Sequence, residues 1–245
     1  MVRLFAKEEN RTEDGFTITG SDFNHVKNVL RMHAGDAVQV SAEDGRVYNC
    51  RIAAFRDGAM QLQILSEEAA GTELKAEIWL FQGLPKGDKF ETVLQKAVEL
   101  GAHAVVPVLM KRCVAKPDPK KEEARLKRYA AIAEAAAKQS KRSFIPQAGP
   151  YMTMREAVEF CRDFDRVFIP YENADNMAET KKRLQEVREG ERIAVFIGPE
   201  GGFEDEEVRA VEAIGGHAIT LGRRILRTET AGMTVLSVLM FNLEA

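Results

Sequence analysis

Two glycine-rich segments in the last quarter of the chain have residues suited to binding a small ligand. Each follows a stretch typical of a β-strand, at 193–197 and at 217–221. The first segment reads Gly198-Pro199-Glu200-Gly201-Gly202, and the second reads Leu221-Gly222-Arg223-Arg224-Ile225-Leu226-Arg227-Thr228-Glu229-Thr230-Ala231. Ligands of open α/β sheets bind beyond the carboxyl ends of the strands, and glycine lets a backbone approach a ligand closely. Either the glycines only close tight turns, or both loops, with Pro170 and Tyr171 after a third strand, form one site; we favour the single site.

Acidic residues narrow the class of ligand. Glu200 lies within the first loop, and residues 204–207, all Asp or Glu, occupy the first turn of the helix expected next. These carboxylates complement the helix dipole and would repel a phosphate at that position. The chain also has no G-x-G-x-x-G after a strand and no Walker A lysine. The pattern therefore favours a neutral or cationic ligand, such as S-adenosylmethionine, over NAD or ATP.

Other site chemistries find little support in the sequence. The four histidines (His25, His33, His103, His217) and three cysteines (Cys50, Cys113, Cys161) have no metal-ligand or disulfide spacing. A serine-hydrolase elbow, G-x-S-x-G, is absent too. We expect no metal, no membrane span and no signal peptide, and free thiols in the cytoplasm.

Charge is unevenly distributed along a chain whose composition is otherwise that of a globular protein. Residues 111–143 contain eleven Lys or Arg against four Asp or Glu, a net charge of +7, whereas the whole chain has −3. Such a segment is typical either of an anion-binding face, for instance for RNA, or of a solvated helix surface. Charge alone leaves both interpretations open.

The hydrophobic pattern predicts two kinds of architecture. Up to about residue 70, strands at 37–41, 47–52 and 59–65 indicate a small barrel-like module, with a helix capped by Ser21 that carries Phe23, Val26, Val29 and Leu30 on its apolar side. Residues 66–72 are polar and small, which is typical of a linker. From residue 74, strands alternate with helices, which predicts a mainly parallel sheet covered on both faces. The strands are expected at 76–81, 104–109, 166–169, 193–197 and 217–221, and the helices from about 90, across 120–140, up to 161, at 204–214 and at 228–241.

The two C-terminal segments together resemble the RsmE family of bacterial 16S rRNA uridine-N3 methyltransferases, which belong to the knotted SPOUT class. The resemblance covers nearly the whole chain and includes the segments 3–5, 25–31, 95–101 and 139–142. Two positions depart from the family pattern: Lys138, where an acidic residue is expected, and Cys113, where serine is commoner.

Membership of that family would imply an α/β protein of two domains. Residues 1–71 would form a PUA-like RNA-binding β-barrel, and residues 74–245 a SPOUT methyltransferase domain with a trefoil knot. The resemblance also implies S-adenosyl-L-methionine as cofactor, 16S rRNA in the 30S subunit as partner, and a homodimer formed through the methyltransferase domains.

The resemblance also suggests a role for individual residues. Arg227 would stabilise charge on the uracil carbonyl oxygens, and Glu229 would either remove the N3 proton or hold Arg227, the role we favour. The cofactor contacts would be Pro170, Tyr171, Ile197, Gly198, Pro199, Glu200, Gly201, Leu221, Gly222, Ile225 and Leu226. The RNA contacts would be Arg31, Lys86, Arg112, Lys116, Ser140 and Arg142.

Three alternatives remain at this stage. A non-catalytic RNA-binding or ribosome-assembly protein would use the barrel and the basic segment without a cofactor. A nucleotide-dependent oxidoreductase is disfavoured by the acidic loop. A methyltransferase of the same fold could act on another acceptor, such as a tRNA ribose 2′-hydroxyl.

Overall fold

The structure, a computed structural model, describes residues 1–69 and 71–244. The chain divides into two compact units, each made of two stretches of sequence. The N-terminal unit comprises Met1–Glu73 and Ala137–Ile145, and the C-terminal unit comprises Leu74–Ala136 and Pro146–Ala245. The sequence analysis did not anticipate that residues 137–145 belong with the first unit. Ala70, in the expected linker, and Ala245, in the expected second domain, lie outside the described residues.

The N-terminal unit is built on a five-stranded sheet with the order β1-β3-β4-β5-β2. Its strands are β1 (Val2–Ala6), β2 (Gly15–Ile18), β3 (Ala37–Ala42), β4 (Arg46–Arg56) and β5 (Ala59–Ala69). Alternate side chains, among them Val40, Ile52 and Met60, form the buried core. The three predicted strands are confirmed, whereas β1 and β2 were not predicted. Because β5 continues to Ala69, the prediction of a linker is wrong for residues 66–69.

The helix of this unit is shorter and less regular than predicted. It begins at Gly20 as α1 (Gly20–Asn24), with Thr19 rather than Ser21 at the N-cap, and continues as a π-helical turn over His25–Val29. A π-turn widens the hydrogen-bond spacing, so residues within it and after it leave the 3.6-residue period. Val26 is fully buried, but Val29 is 67% exposed and Leu30 42% exposed. Their expected place on the apolar face was therefore wrong.

The C-terminal unit contains a seven-stranded sheet in which every pair of neighbouring strands is parallel. The order is β12-β10-β11-β6-β7-β8, and β9 also pairs with β7. The strands are β6 (Glu77–Gly83), β7 (Ala104–Leu109), β8 (Gln147–Ala148), β9 (Met152–Thr153), β10 (Arg166–Pro170), β11 (Arg192–Ile197) and β12 (His217–Ile219). This confirms the predicted parallel sheet, and β11 is buried along almost its whole length.

Helices of the C-terminal unit pack on the sheet. They are α2 (Lys89–Glu99), α3 (Glu122–Gln139, whose end enters the N-terminal unit), α4 (Met154–Phe160), α5 (Met177–Gln185), α6 (Asp205–Ala213) and α7 (Thr228–Leu243). Phe81 and Phe196 share a core with α4 and α6, whereas α2 and α7 pack against each other and against strands β6, β7 and β11. The predicted apolar face of α2 is confirmed, since Phe90, Val93, Leu94, Ala97 and Val98 are all buried. Helix α5 was missed because Thr180 and Leu184 are its only buried residues.

All three cysteines are free thiols. Burial raises the pKa of Cys50 and of Cys161 to about 12, whereas Cys113 is half-buried. Over the described residues, no helix has both the length and the apolar character needed to cross a membrane. Within the same ranges, no group of three or more His, Cys, Asp or Glu side chains is arranged to hold a metal ion.

Candidate active site

A cavity of about 1020 Å³ opens at the carboxyl ends of β10, β11 and β12. Three loops line it, at 170–177, 197–203 and 220–227, together with the first turn of α7 and Lys89 of α2. Parallel strands end at the same edge of a sheet, which is why segments far apart in sequence meet here. The lining includes all thirteen residues predicted to bind the cofactor or to act in catalysis: Pro170, Tyr171, Ile197, Gly198, Pro199, Glu200, Gly201, Leu221, Gly222, Ile225, Leu226, Arg227 and Glu229.

The loop after β11 is held in one conformation by contacts from several elements. Gly202 has a φ of +71°, a left-handed conformation that favours glycine, and its amide donates to the Pro199 carbonyl at 2.9 Å. Arg112 clamps the loop from outside: its Nη1 donates to the Gly201 carbonyl at 2.9 Å and its Nε to Glu204 at 2.9 Å. Arg112, predicted as a phosphate contact, therefore has a supporting role in this structure, with 41% of its side chain exposed.

Glu200 joins the same loop to the start of α2. Its Oε1 accepts from the Lys86 amide at 3.1 Å and from Lys89 Nζ at 2.9 Å. Partial burial alone would raise the pKa of Glu200, but the hydrogen bonds from Lys89 and from backbone amides outweigh it and lower the pKa. The Glu200 carboxylate is thus charged and already paired.

The first turn of α6 is closed to an anionic ligand by its own side chains. The Glu204 amide donates to Glu207 Oε2 at 2.9 Å in a capping box, and Glu207 Oε1 accepts from the Lys111 amide. Glu206 pairs with Lys111. The sequence argument against a phosphate here rested on charge, and the structure adds a hydrogen-bond reason because the amide at the N-cap is occupied.

The loop after β10 is tied to α6. The Tyr171 hydroxyl donates to Asp205 Oδ1 and accepts from Asn173 Nδ2 at 3.0 Å. The hydrogen bond to Asp205 raises the pKa of Tyr171, so the phenol stays neutral. The ring of Tyr171 is therefore held at the cavity wall.

Arg227 and Glu229 lie where the second glycine loop meets α7. Arg227 is the N-cap of α7 and is exposed. Glu229 is the second residue of the helix, and its Oε2 is buried with no hydrogen-bond partner among the described residues. In the part of the chain that the structure describes, no ion pair or hydrogen bond joins Glu229 to Arg227. The interpretation that we favoured from sequence, with Glu229 holding Arg227, is therefore not what the structure shows.

The predicted RNA contacts fall in both units and none lines the cavity. Lys86 and Lys116 are exposed in the C-terminal unit. In the N-terminal unit Arg31 is exposed with a φ of +53°, and Ser140 is half-buried.

The prediction that Arg142 contacts RNA is wrong. Arg142 is only 3% exposed, and its Nε and Nη2 donate to Glu73 Oε2 at 2.9 and 2.5 Å. The Arg142 guanidinium is buried in a structural ion pair with Glu73, so it is not accessible to RNA. Lys138, the departure from the family pattern, pairs with Asp22 at 2.5 Å.

Sequence reasoning missed several residues of the cavity lining. Lys89 was assigned no role from the sequence, whereas the structure places it in the lining, paired with Glu200. Glu172, Asp175 and Thr228 also line the cavity. Their positions after β10 and at the start of α7 were the available signal, since strand ends of this sheet edge converge.

Comparison with known proteins identifies relatives over the whole chain. A family model described as an RNA methyltransferase domain matches residues 72–240, and one described as an RNA methyltransferase PUA domain matches residues 18–65. A protein of Bacillus subtilis (strain 168) named ribosomal RNA small subunit methyltransferase E is 32% identical over 100% of this chain and 98% of its own length. A Synechocystis protein of the same name is 30% identical over 99% of this chain and 78% of its own length.

A solved structure is also similar. The crystal structure of a ribosomal RNA small subunit methyltransferase E from Neisseria gonorrhoeae, bound to S-adenosyl methionine, superposes with a TM-score of 0.80. That protein is 28% identical, and the match covers 97% of this chain and 95% of the other. The similarity thus extends through both units.

Proposed function

This chain belongs to the ribosomal RNA small subunit methyltransferase E family, and we propose that it transfers a methyl group from S-adenosyl-L-methionine to N3 of a uridine in 16S rRNA. The observation that carries the proposal is the cavity itself, in which two glycine loops meet the exposed Arg227 and the carboxylate of Glu229, whose buried Oε2 has no hydrogen-bond partner among the described residues. The naming of the relatives and the cofactor bound by the Neisseria gonorrhoeae protein support it.

The residues present fit the cofactor. The cavity volume of about 1020 Å³ lies at the upper end of the roughly 300–1,000 Å³ usual for small-molecule sites, leaving room for an acceptor base beside the cofactor. Gly198, Gly201 and Gly222 would present main-chain groups to the adenine, and Ile197, Leu221 and Leu226 would supply apolar contact. Glu172 and Asp175, which also line the cavity, would complement the positive charge of the cofactor.

The chemistry needs little beyond positioning and a proton acceptor. When bound, S-adenosyl-L-methionine supplies an activated methyl group on its sulfonium. The Glu229 carboxylate accepts the N3 proton as the N3–CH₃ bond forms and the S–CH₃ bond breaks. Arg227 stabilises the charge that develops on the uracil carbonyl oxygens. The base role of Glu229 is supported by its unpartnered Oε2 and by the absence of an ion pair with Arg227 within the described residues.

The decisive experiment incubates the protein with labelled S-adenosyl-L-methionine and either 16S rRNA or 30S particles from a strain that lacks the modification. We expect label on N3 of a single uridine. Label on a ribose hydroxyl would contradict the acceptor, and a folded protein that binds cofactor but labels neither substrate would contradict the reaction.

Two variants test the assigned roles. Arg227→Ala and Glu229→Gln are expected to lower kcat by about 100-fold or more, with cofactor affinity changed much less. Arg209→Ala and Glu212→Gln, exposed positions on α6 outside the cavity lining, are the matched controls. A non-catalytic RNA-binding protein would instead bind RNA equally with and without cofactor, and its binding would survive Arg227→Ala.

We extend the proposal to assembly and topology. The chain is proposed to form a homodimer through the C-terminal unit, and the exposed Val238 and Phe241 of α7 support an apolar contact there. The family assignment supports a trefoil knot in the same unit. Sedimentation tests the dimer: wild type should sediment at twice the mass of one chain and Phe241→Glu at the mass of one chain. The knot is tested by the refolding rate, which should be lower than that of an unknotted protein with a parallel sheet of similar size.

The RNA surface and the cellular context are also proposals. We propose domains at 1–71 and 74–245, with RNA bound by the first as a PUA-like domain and by Arg31, Lys86, Lys116 and Ser140, with Arg112 supporting the loop. The match of the PUA family model supports this. The 30S particle is the proposed substrate and the cytoplasm the proposed location, and binding should weaken steeply with salt.

A further inference from the structure

A buried glutamine near the end of β6 is connected through one hydroxyl group to the loop after β11, residues 198–203, which we call the cofactor loop. Gln82 is fully buried, and its Nε2 donates to the Gly83 carbonyl at 3.0 Å and to Thr228 Oγ1 at 2.7 Å. Because the Gly83 carbonyl can only accept, the amide must present its nitrogen at this end. The Thr228 hydroxyl therefore accepts from Gln82, and its single hydrogen goes to the Gly198 carbonyl at 2.6 Å.

This relay, defined as Gln82–Thr228–Gly198, links β6, the loop after β11 and the start of α7. The reaction requires these three elements to keep fixed positions relative to one another. Gly198 is the first residue of the loop after β11, and Thr228 directly follows Arg227 at the start of α7. Beside the relay, a Cβ on Gly83 would lie 2.6 Å from the backbone nitrogen of Pro199. The end of β6 thus supports the loop from below by close packing and by a directed hydrogen bond.

The carbonyl oxygen of the Gln82 side chain indicates that this glutamine does not serve to stabilise the fold. Within residues 1–69 and 71–244, its buried Oε1 has no hydrogen-bond partner. This oxygen faces Gly232 of α7, where an added Cβ would lie 3.7 Å away. An unpaired buried amide oxygen destabilises a fold, so an apolar side chain would suit a purely structural position better. What the amide gains is the orientation of the Thr228 hydroxyl.

We propose that Gln82 and Thr228 are positioning residues for methyl transfer, an inference that rests on the proposed function. Gln82 sets the direction of the Thr228 hydroxyl, and Thr228 fixes the Gly198 carbonyl relative to the start of α7. The relay thereby holds the cofactor loop at a constant separation from Arg227. Small errors in such a separation reduce the rate of transfer more than they reduce binding.

The test compares substitutions that keep shape and change hydrogen bonding. Thr228→Val removes the hydroxyl, Thr228→Ser keeps it, Gln82→Met removes the amide, and Gln82→Met/Thr228→Val breaks the relay twice. Val105→Ala is a core control, because β7 contributes no described residue to the cavity lining. The readouts are kcat for methyl transfer to 30S particles, calorimetric Kd for S-adenosyl-L-methionine, and melting temperature.

We expect Thr228→Val and Gln82→Met each to lower kcat by about tenfold or more while cofactor Kd changes less than about threefold. Thr228→Ser should stay within about threefold of wild type, and the double variant should be no slower than Thr228→Val alone. The melting temperature of Gln82→Met should exceed that of Val105→Ala.

Unchanged kcat in either single variant, failure of serine to replace threonine, or losses that multiply in the double variant would overturn the positioning role. So would a loss of kcat in Val105→Ala equal to that of Gln82→Met. A wild-type protein that methylates neither 16S rRNA nor 30S particles would overturn the proposed function as well, so the two failures are distinguishable.

Discussion

The close packing of Gly83 against the loop after β11 leads to a specific expectation for stability. An alanine at this position would place its Cβ 2.6 Å from Pro199 Cδ, 2.6 Å from Pro199 N and 2.9 Å from Met110 Sδ. The methionine can move, but the Pro199 nitrogen is backbone, so the loop itself must shift. Overpacking of a core of this kind destabilises by about 1–3 kcal/mol.

For a unit of this size such a loss lowers the melting temperature by about 2–12 °C. Because the displaced atoms belong to the loop that we assign to the cofactor, Gly83→Ala should also weaken binding of S-adenosyl-L-methionine. Gly232→Ala is the matched control: its Cβ meets Leu80, Gln82 and Ile197 only at 3.6–3.7 Å, and alanine gains up to about 1 kcal/mol over glycine in a helix.

The assay is a thermal melt followed by calorimetric titration of the cofactor, for wild type and both variants. Gly83→Ala should melt lower and bind more weakly, and Gly232→Ala should melt at or above wild type. Equal behaviour of the two alanine variants would refute the packing argument, and a destabilised Gly83→Ala with normal cofactor affinity would separate this packing from the binding site.

Three further expectations follow from side chains already described. Arg142→Ala removes the partner of the partly buried Glu73 and should destabilise by about 3 kcal/mol, whereas Arg162→Ala, whose pair with Glu159 is exposed, should cost about 1 kcal/mol or less; equal melting temperatures would contradict this. The lowered pKa of Glu200 means that its stabilising effect is complete above the ordinary glutamate value of about 4.3 and is lost as the pH falls through the folded value. The melting-temperature difference between wild type and Glu200→Gln should accordingly be constant near neutral pH and vanish in acid, and a difference that grows in acid would have the wrong sign. With pKa values raised to about 12, Cys50 and Cys161 should resist iodoacetamide at pH 8 until the protein is denatured, as peptide mass spectrometry would reveal.

Local patterns were enough to predict the parallel sheet and the two glycine loops of the cavity, whereas the roles of individual residues came from the family resemblance. The apolar run of β11 and the helical spacing of α2 depend on burial along one element, which the sequence displays directly. The cavity followed from a rule about strand ends, and every residue assigned to it from the Gly198 and Leu221 segments lies in its lining.

Features that depend on distant partners could not be predicted. Arg142 was assigned to RNA through the family resemblance, and its actual partner, Glu73, is 69 residues away in sequence. Val29 and Leu30 had the spacing of a helix face, but Val29 lies in the π-turn and Leu30 directly after it, and both are exposed. Gln82 is the last residue but one of β6 and carries no sequence signal, because the role we propose for it depends on Thr228, 146 residues later.

The membership of residues 137–145 in the N-terminal unit has a consequence for synthesis. During translation, Met1–Glu73 emerges long before Arg142 and Ser143, which donate to Glu73 through the guanidinium, an amide and a hydroxyl. The nascent N-terminal unit therefore lacks its closing piece until more than half of the chain has been made. Vectorial folding from the N-terminus, the usual order for multidomain chains, is thereby delayed. A fragment that ends at residue 73 should be less stable than the same residues within the full chain.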